Sequence, residues 1–503
     1  MSESVAPSMR TVPALLRARA ASEPDRVALM LDDARRLTYR EWDQRSDTVA
    51  YRLRRRGLHA GEQVGLVFSA SGWLDYAVAY CGVLKASGVA VPLGAHLSAG
   101  TVAAMLRQGR VGGVISGPGT AQPDAPGWHV RLPELTDDGI GPLPFAVHVS
   151  PSDTAQILYT SSTPQCSKGV ATSHASLTNR LDIHARLRPL AHSTYCLHAF
   201  ALGTEAGQAM LLNTLVAAPT TLIAQAFGPD TFAALIERYR VGSVFLMPSM
   251  AAELVNARVH ERYDLSSVRL LSSTIAALPS AVALRLAGML PAATLANCYT
   301  STRTAPAQVT MIFDPSRPDA LGRPERADQL EIAGPDGRRV KTGETGLVWL
   351  RSAAPDRWRV NDPTADARGL VDRWVTLGDF GYLDADGYLY LVDQAGDLME
   401  SGAPALPTQR VEAALYEHPA IAAAAAIGVL HPVLGGVITA AVVTAAGREP
   451  VSEGNLRVFL ADRLDRHEQP VRIRYLDVPC DTAREVLEER LRELLARGED
   501  GCE

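Results

Sequence analysis

An α/β fold is what the sequence predicts: a large lobe of parallel-type sheets with helices on their faces. Three observations predict it. Short apolar runs suited to strands alternate with helical stretches over the first half of the chain, the pattern of strands joined by crossover helices. Clusters rich in Pro, Gly and Asp punctuate them. The length, 503 residues, allows about three domain-sized units that share one large lobe.

The elements follow in order. Val12, Leu15 and Leu16 fall at helical spacing, and residues 24–30 read as a strand. Thr38 is placed to cap a helix running to Arg56, because its hydroxyl can accept from a free N–H of the first turn. Arg52, Arg54, Arg55 and Arg56 read as that helix's solvated face. Residues 64–68 form a strand, 73–85 a mostly apolar helix and 88–93 another strand. The alternation continues through apolar pieces at 114–115, 221–223 and 244–246. Residues 118–150 read as a connecting surface segment.

Composition narrows the function classes. The chain is 47% apolar and 21% charged with a net charge of −6, an ordinary globular balance without the basic runs that nucleic acid demands. The N-terminus lacks the apolar core of a signal peptide. No apolar span approaches the roughly 18 residues needed to cross a bilayer. These features predict a cytoplasmic protein with neither a membrane nor a nucleic-acid partner. Cys81, Cys166, Cys196, Cys298, Cys480 and Cys502 lack metal-ligand spacing, so neither a metal site nor a disulfide framework is expected.

The chemistry points to residues 157–170, ILYTSSTPQCSKGV. An apolar lead-in, a Ser/Thr-rich turn and a Lys-Gly exit outline a loop that wraps phosphates with backbone N–H groups. Ser162 and Gln165 stand where a tight cradle calls for Gly, and Pro164 supplies no N–H. Nor is this the G-x-x-x-x-G-K-[ST] pattern. On its own residues the stretch also reads as a polar turn between strands.

The loop resembles Y-T-S-G-T-T-G-x-P-K-G-V of the adenylate-forming superfamily, which includes acyl-CoA synthetases, adenylation domains and luciferases. Tyr159, Thr160, Ser161, Thr163, Lys168, Gly169 and Val170 match; the two internal glycines and the proline do not. LTYREW (37–42), VLKASG (83–88), GETGLVWLRS (343–352), VTLGDFGYLDADGYLYLVD (375–393) and VEAALYEHP (411–419) resemble further motifs of that superfamily. The likeness implies a large acyl- and adenylate-binding lobe over residues 1–394 and a small mobile α/β lid over 397–503. Gly396 would lie at the hinge, where a pivot must absorb a backbone change.

Such enzymes join an acid to ATP, giving an acyl-adenylate and pyrophosphate, and then displace AMP with a thiol. For the first half, matching residues are mostly missing. In NCYTSTR (297–303) the Mg²⁺-holding glutamate of Y-G-x-T-E has become Arg303, a cation that cannot ligate a metal needing oxygen donors. The pattern's lid lysine falls on Glu485, and its phosphate-contacting arginine on Gln394. Losing one preorganised donor costs about 3 kcal/mol in a transition state.

For the second half the residues survive. The likeness implies that Asp379 grips the AMP ribose and that Tyr299 stacks on adenine. Thr302 matches beside Tyr299, and Thr160, Ser161, Thr163 and Lys168 complete the adenylate-binding set. His198 matches the P-x-x-H histidine that gates the acyl pocket, and on its own residues also reads as a packed core histidine in a helix start. Gly402 matches the loop lining the pantetheine tunnel. The glycines of S-G-G-A-P-L, which falls on residues 273–278, are absent.

The losses resemble the non-adenylating acyl-CoA ligases of platensimycin-type diterpenoid biosynthesis, a route of antibiotic secondary metabolism. By that likeness the chain performs thioesterification only. Coenzyme A is the co-substrate, the acyl-adenylate (AMP rather than ATP) comes from a separate adenylating ligase, and no metal is used. His198 and Arg303 are then the catalytic candidates, with Arg303 facing the α-phosphate. Two alternatives stay open: a complete ATP-dependent synthetase with Lys168 or Arg484 in the missing lysine's task, and a silent homologue acting as a binding partner.

Overall fold

The computed structural model describes residues 10–32, 35–94, 97–120, 122–124, 127–136, 143–159, 169–179, 181, 188–274, 278–300, 308–324, 326–334, 337–351, 357–359, 370–371, 374–394, 408–431, 435–445, 447–466, 468–478 and 484–496. The fold is α/β, with a large sheet-rich N-terminal part and a small C-terminal part. The chain divides into two compact units. One holds Met1–Phe227, Arg238–Val244 and Ala353–Arg373; the other holds Gly228–Glu237, Phe245–Ser352 and Trp374–Glu503.

In the first unit, a seven-stranded sheet runs in the order Arg357–Arg359, Gly169–Ser173, Thr154–Tyr159, Val89–Gly94, Gln63–Phe68, Gly113–Ser116, Trp128–Arg131. Its last five strands are parallel and its first two are added antiparallel. The helix Trp73–Lys85 is buried on nearly every side, as a mostly apolar helix must be. Of its two charges, Asp75 accepts from Arg45 at 3.1 Å, while Lys85 is fully buried and donates to Asp47 at 2.7 Å and to both the carboxylate and the backbone carbonyl of Asp43. Arg17 closes the network on Asp47. Pairing of this kind is what makes a buried charge tolerable. Thr38 caps the helix Tyr39–Arg55 in a reciprocal box with Glu41, while Arg54, Arg55 and Arg56 face solvent. A second layer runs Arg35–Thr38, Val27–Leu31, Thr220–Ile223, Tyr195–His198, the last three mutually parallel.

The segment 118–150 differs from the expected plain connection. It contains the strand Trp128–Arg131, parallel to Gly113–Ser116, and the short helix Leu132–Thr136. Apolar anchors decide this: Val130, Leu132 and Leu135 are buried, and the Trp128 ring lies directly over Gly113. Turn-forming residues on either side hide so short an apolar run in the sequence.

In the second unit, Leu270–Thr274 and Thr294–Tyr299 are parallel, and Val309–Ile312 and Arg323–Pro324 extend them antiparallel. The strands Leu330–Ala333, Gly346–Arg351, Trp374–Leu383 and Leu389–Gln394 pair antiparallel throughout, a departure from the parallel pattern. The last two are joined by a tight turn at Asp384 and Gly387, and antiparallel neighbours need no crossover helix. Toward the C-terminus, Ile421–His431, Gly435–Thr444 and Arg472–Tyr475 form a three-stranded sheet. The helices Thr408–Tyr416 and Arg484–Ala496 pack on it. Among the described residues, no helix is long and apolar enough to cross a membrane.

Candidate active site

His198 ends the strand Tyr195–His198 rather than starting a helix, because parallel pairing with Thr220–Ile223 keeps the chain extended through it. The chain then bends, and the N–H of Phe200 donates to His198 Nδ1 at 3.1 Å. The Phe200 ring stacks on the imidazole at 5.4 Å between centroids, and Trp73 meets it edge-on at the same separation. Trp73 Nε1 in turn donates to the Phe200 carbonyl. An Nδ1 that accepts leaves the ring proton on Nε2, a tautomer assigned from this bonding pattern. That Nε2 is buried and without a hydrogen-bond partner among the described residues. Burial lowers the His198 pKa to about 3, so the ring is neutral at physiological pH and accepts no proton there.

Asp379 sits in the strand Trp374–Leu383, opposite Gln394 of Leu389–Gln394. Its backbone is shaped by the glycines of GDFG. Gly378 has φ 101°, and a Cβ on Gly381 would stand 2.4 Å from the Tyr390 carbonyl. Only glycine serves at such a turn and such a close approach. The register shifts just after Asp379, between Phe380 and Gly381, and a bulge of this kind re-aims a side chain. The Asp379 side chain is only 2% exposed and accepts a hydrogen bond from the Tyr299 hydroxyl. Burial, and next the neighbouring Asp379 carboxylate, hold the Tyr299 pKa well above its usual value. The phenol is therefore a donor.

Tyr299 is the last residue of Thr294–Tyr299, and its ring joins the apolar cluster of Val309, Met311, Leu321, Ile332 and Leu350. Asn297, which the sequence reading did not single out, holds this corner together. Its amide donates to the Leu321 carbonyl at 2.7 Å and accepts from Leu278 N–H at 3.2 Å. Leu321 and Gly322 exchange backbone bonds with Leu389, so the strand carrying Tyr299 is tied to the hairpin carrying Asp379. The available signal was an amide inside the otherwise apolar run LANCY.

The structure thus brings Tyr299 and Asp379 together. Tyr159, at the entry to the Ser/Thr-rich loop, donates to the Met105 carbonyl at 2.9 Å. The strands flanking that loop, Thr154–Tyr159 and Gly169–Ser173, are antiparallel neighbours. Thr160, Ser161, Thr163, Lys168, Thr302, Arg303, Gly396 and Gly402 lie outside the described residues. Glu485 is the second residue of the helix Arg484–Ala496.

Magnesium is the metal that the resemblance brings with it, and the donor set at 299–303 does not suit it. Tyr299, Thr300, Ser301, Thr302 and Arg303 include no carboxylate, and a hard dication binds through anionic and carbonyl oxygens. In the second unit, a buried carboxylate, Asp379, accepts from a hydroxyl.

Comparison with known proteins identifies the family of the chain. The family described as AMP-binding enzyme matches residues 16–355, and the AMP-binding enzyme C-terminal domain matches 410–482. A feruloyl-CoA synthase of Amycolatopsis is 29% identical over 459 residues, covering 88% of this chain and 90% of its own. An indoleacetate–CoA ligase of Aromatoleum aromaticum is 29% identical over 385 residues, covering 74% of each chain. In fold, the anthranilate CoA ligase AuaEII, solved with anthranoyl-AMP, superposes with a TM-score of 0.79 at 19% identity, covering 97% of this chain and 98% of its own. The o-succinylbenzoate CoA synthetase of Bacillus subtilis, solved with its acyl-adenylate, gives 0.75 at 21% identity, covering 95% and 97%. The chain belongs to the AMP-binding enzyme family, as an acyl-CoA-ligase-like member of the adenylate-forming enzymes.

Proposed function

We propose that this protein catalyses only the second half of the ligase reaction, transferring an acyl group from a preformed acyl-adenylate to coenzyme A. The observation that carries the proposal is the charge reversal at two family positions, Arg303 for the metal-holding glutamate and Glu485 for the lid lysine. Adenylation assembles a tetra-anionic nucleotide, a metal and a carboxylate, and needs those charges as they stand in the family. Losses of this kind are not additive, yet removing the constellation together disables the step.

Thiolysis makes smaller demands. The thiol sulfur attacks the acyl carbonyl, the bond from that carbon to the phosphate oxygen breaks, and AMP departs with its electron pair. The acyl group is already activated, so the protein's main task is to hold two reactants together. Positioning alone contributes several kcal/mol. In this reading Asp379 holds the ribose through charge-assisted hydrogen bonds, and Arg303 faces the α-phosphate as charge builds there. His198, being neutral, shapes the acyl pocket and offers a hydrogen bond, while the thiol's proton passes to solvent when AMP leaves as the phosphomonoester anion. Lys168 and the loop hydroxyls of Thr160, Ser161 and Thr163 line the phosphate. Gly402 lines the pantetheine path, and the lid turns about Gly396.

The named relatives support coenzyme A as the thiol, since they are CoA ligases and synthases. The separate adenylating partner follows from the missing first half. A bulky terpenoid acyl group, in antibiotic diterpenoid biosynthesis, rests on the pattern of losses alone. The test supplies preformed acyl-adenylate and coenzyme A and measures acyl-CoA. Turnover above the uncatalysed rate is expected. No acceleration with any adenylate of a chemically varied panel would mean a silent homologue.

A further inference from the structure

From the Tyr299–Asp379 contact we infer that the Tyr299 hydroxyl competes with a ribose for Asp379, and that nucleotide binding exchanges this phenol for the 2′,3′-diol. The inference rests on the reading of Asp379 as the ribose-binding group and adds a competing role for Tyr299. A carboxylate 2% exposed is costly unless donors satisfy it. Here a donor comes from the very residue whose ring the nucleotide reading assigns to adenine. A phenol and a ribose hydroxyl are both neutral O–H donors, so the carboxylate receives the same kind of bond from either.

The local structure allows the exchange. Tyr299 is the terminal residue of its strand, and Asp379 borders the irregularity at Phe380 and Gly381. Both side chains therefore leave their sheets where regular pairing stops. The partners around them are firmly fixed: Asn297 bonds Leu278 and Leu321, and Leu321 bonds Leu389. The corner can keep its frame while one hydroxyl replaces another. A ligand with both hydroxyls returns more than it displaces, whereas one lacking them leaves the phenol on Asp379.

The experiment is calorimetric titration of the full-length protein and of Tyr299→Phe with AMP and with 2′,3′-dideoxy-AMP. Phe keeps the ring and removes the competing hydroxyl. AMP should bind Tyr299→Phe about tenfold more tightly than wild type, the size of one hydrogen bond to a charged group, while dideoxy-AMP gains nothing. Unchanged or weaker AMP binding, an equal gain for both nucleotides, or no binding of AMP by either protein overturns the inference. Should Tyr299→Phe not fold, a crystal structure of wild type with AMP decides instead. Ribose hydroxyls on Asp379 with the phenol moved away are expected; a phenol still seated on Asp379 beside bound AMP refutes the exchange. Acyl-CoA formation from acyl-adenylate is assayed in parallel. Turnover without the AMP gain sinks this inference alone, and the AMP gain without turnover sinks thiolysis alone.

Discussion

His198 and Asp379 are almost equally buried, at 1% and 2% exposure, yet the two units treat them in opposite ways. Around His198 the neighbours are rings: Trp73 edge-on, Phe200 stacked, one backbone N–H on Nδ1. Among the described residues nothing there stabilises a positive charge, and burial removes it. Around Asp379 a phenol donates to the carboxylate, on a hairpin whose backbone is bent to deliver it. One region is built for shape and the other for hydrogen bonding to an anion. Under the proposed thiolysis the two regions have separate tasks, His198 toward the acyl group and Asp379 toward the nucleotide.

Four changes break or sharpen that contrast. The largest effect is expected from Asp379→Ala, which removes hydrogen bonds to a charged group and should lower kcat/KM for thiolysis by about 100-fold. Activity within threefold of wild type would show the carboxylate to be structural only. Next comes Asn297→Leu, which leaves Leu278 N–H and the Leu321 carbonyl without their partner. Denaturant unfolding should register a loss of about 2 kcal/mol, with a matching rise in the KM for acyl-adenylate as the Tyr299 corner loosens.

Smaller effects come from the buried histidines. His174, its pKa lowered to about 4 chiefly by burial, and His198, lowered to about 3, are both neutral in the folded protein. A histidine whose folded pKa is depressed contributes fully above its unfolded value of about 6.5 and loses that contribution as pH falls. Each ring should therefore cost about 1.4 kcal/mol of stability per pH unit below 6. Tm measured from pH 7.5 to 5 should fall, and His174→Gln should flatten the slope. Least affected should be thiolysis in His198→Gln, which loses only a neutral contact, about tenfold or less. The pH–rate profiles of wild type and variant should keep the same shape. An inflection near pH 6.5 that vanishes with His198 would make it a proton carrier and erase the contrast.

Much of the fold was legible because the responsible signals are local. The cap at Thr38 needs only Glu41 three residues on, and the bounds of Trp73–Lys85 follow from one mostly apolar run. What escaped depends on distant partners. Trp128–Arg131 is a strand because Gly113 leaves room for the Trp128 ring, and neither residue announces the other. The antiparallel sheet around Asp379 follows from turns that periodicity does not orient. At the site, Asp379 and Tyr299 were readable as candidates, but their mutual hydrogen bond joins positions 80 residues apart. His198 could be named as a candidate from its motif. Its neutrality follows only from the rings that fold onto it.

One paired measurement tests whether the two half-reactions are uncoupled: ATP–pyrophosphate exchange and acyl-adenylate thiolysis, on the same preparation with magnesium present. Exchange at the background rate alongside thiolysis well above it is the expected result. Exchange that keeps pace with thiolysis would contradict it, because the protein would then be making its own adenylate despite Arg303 and Glu485.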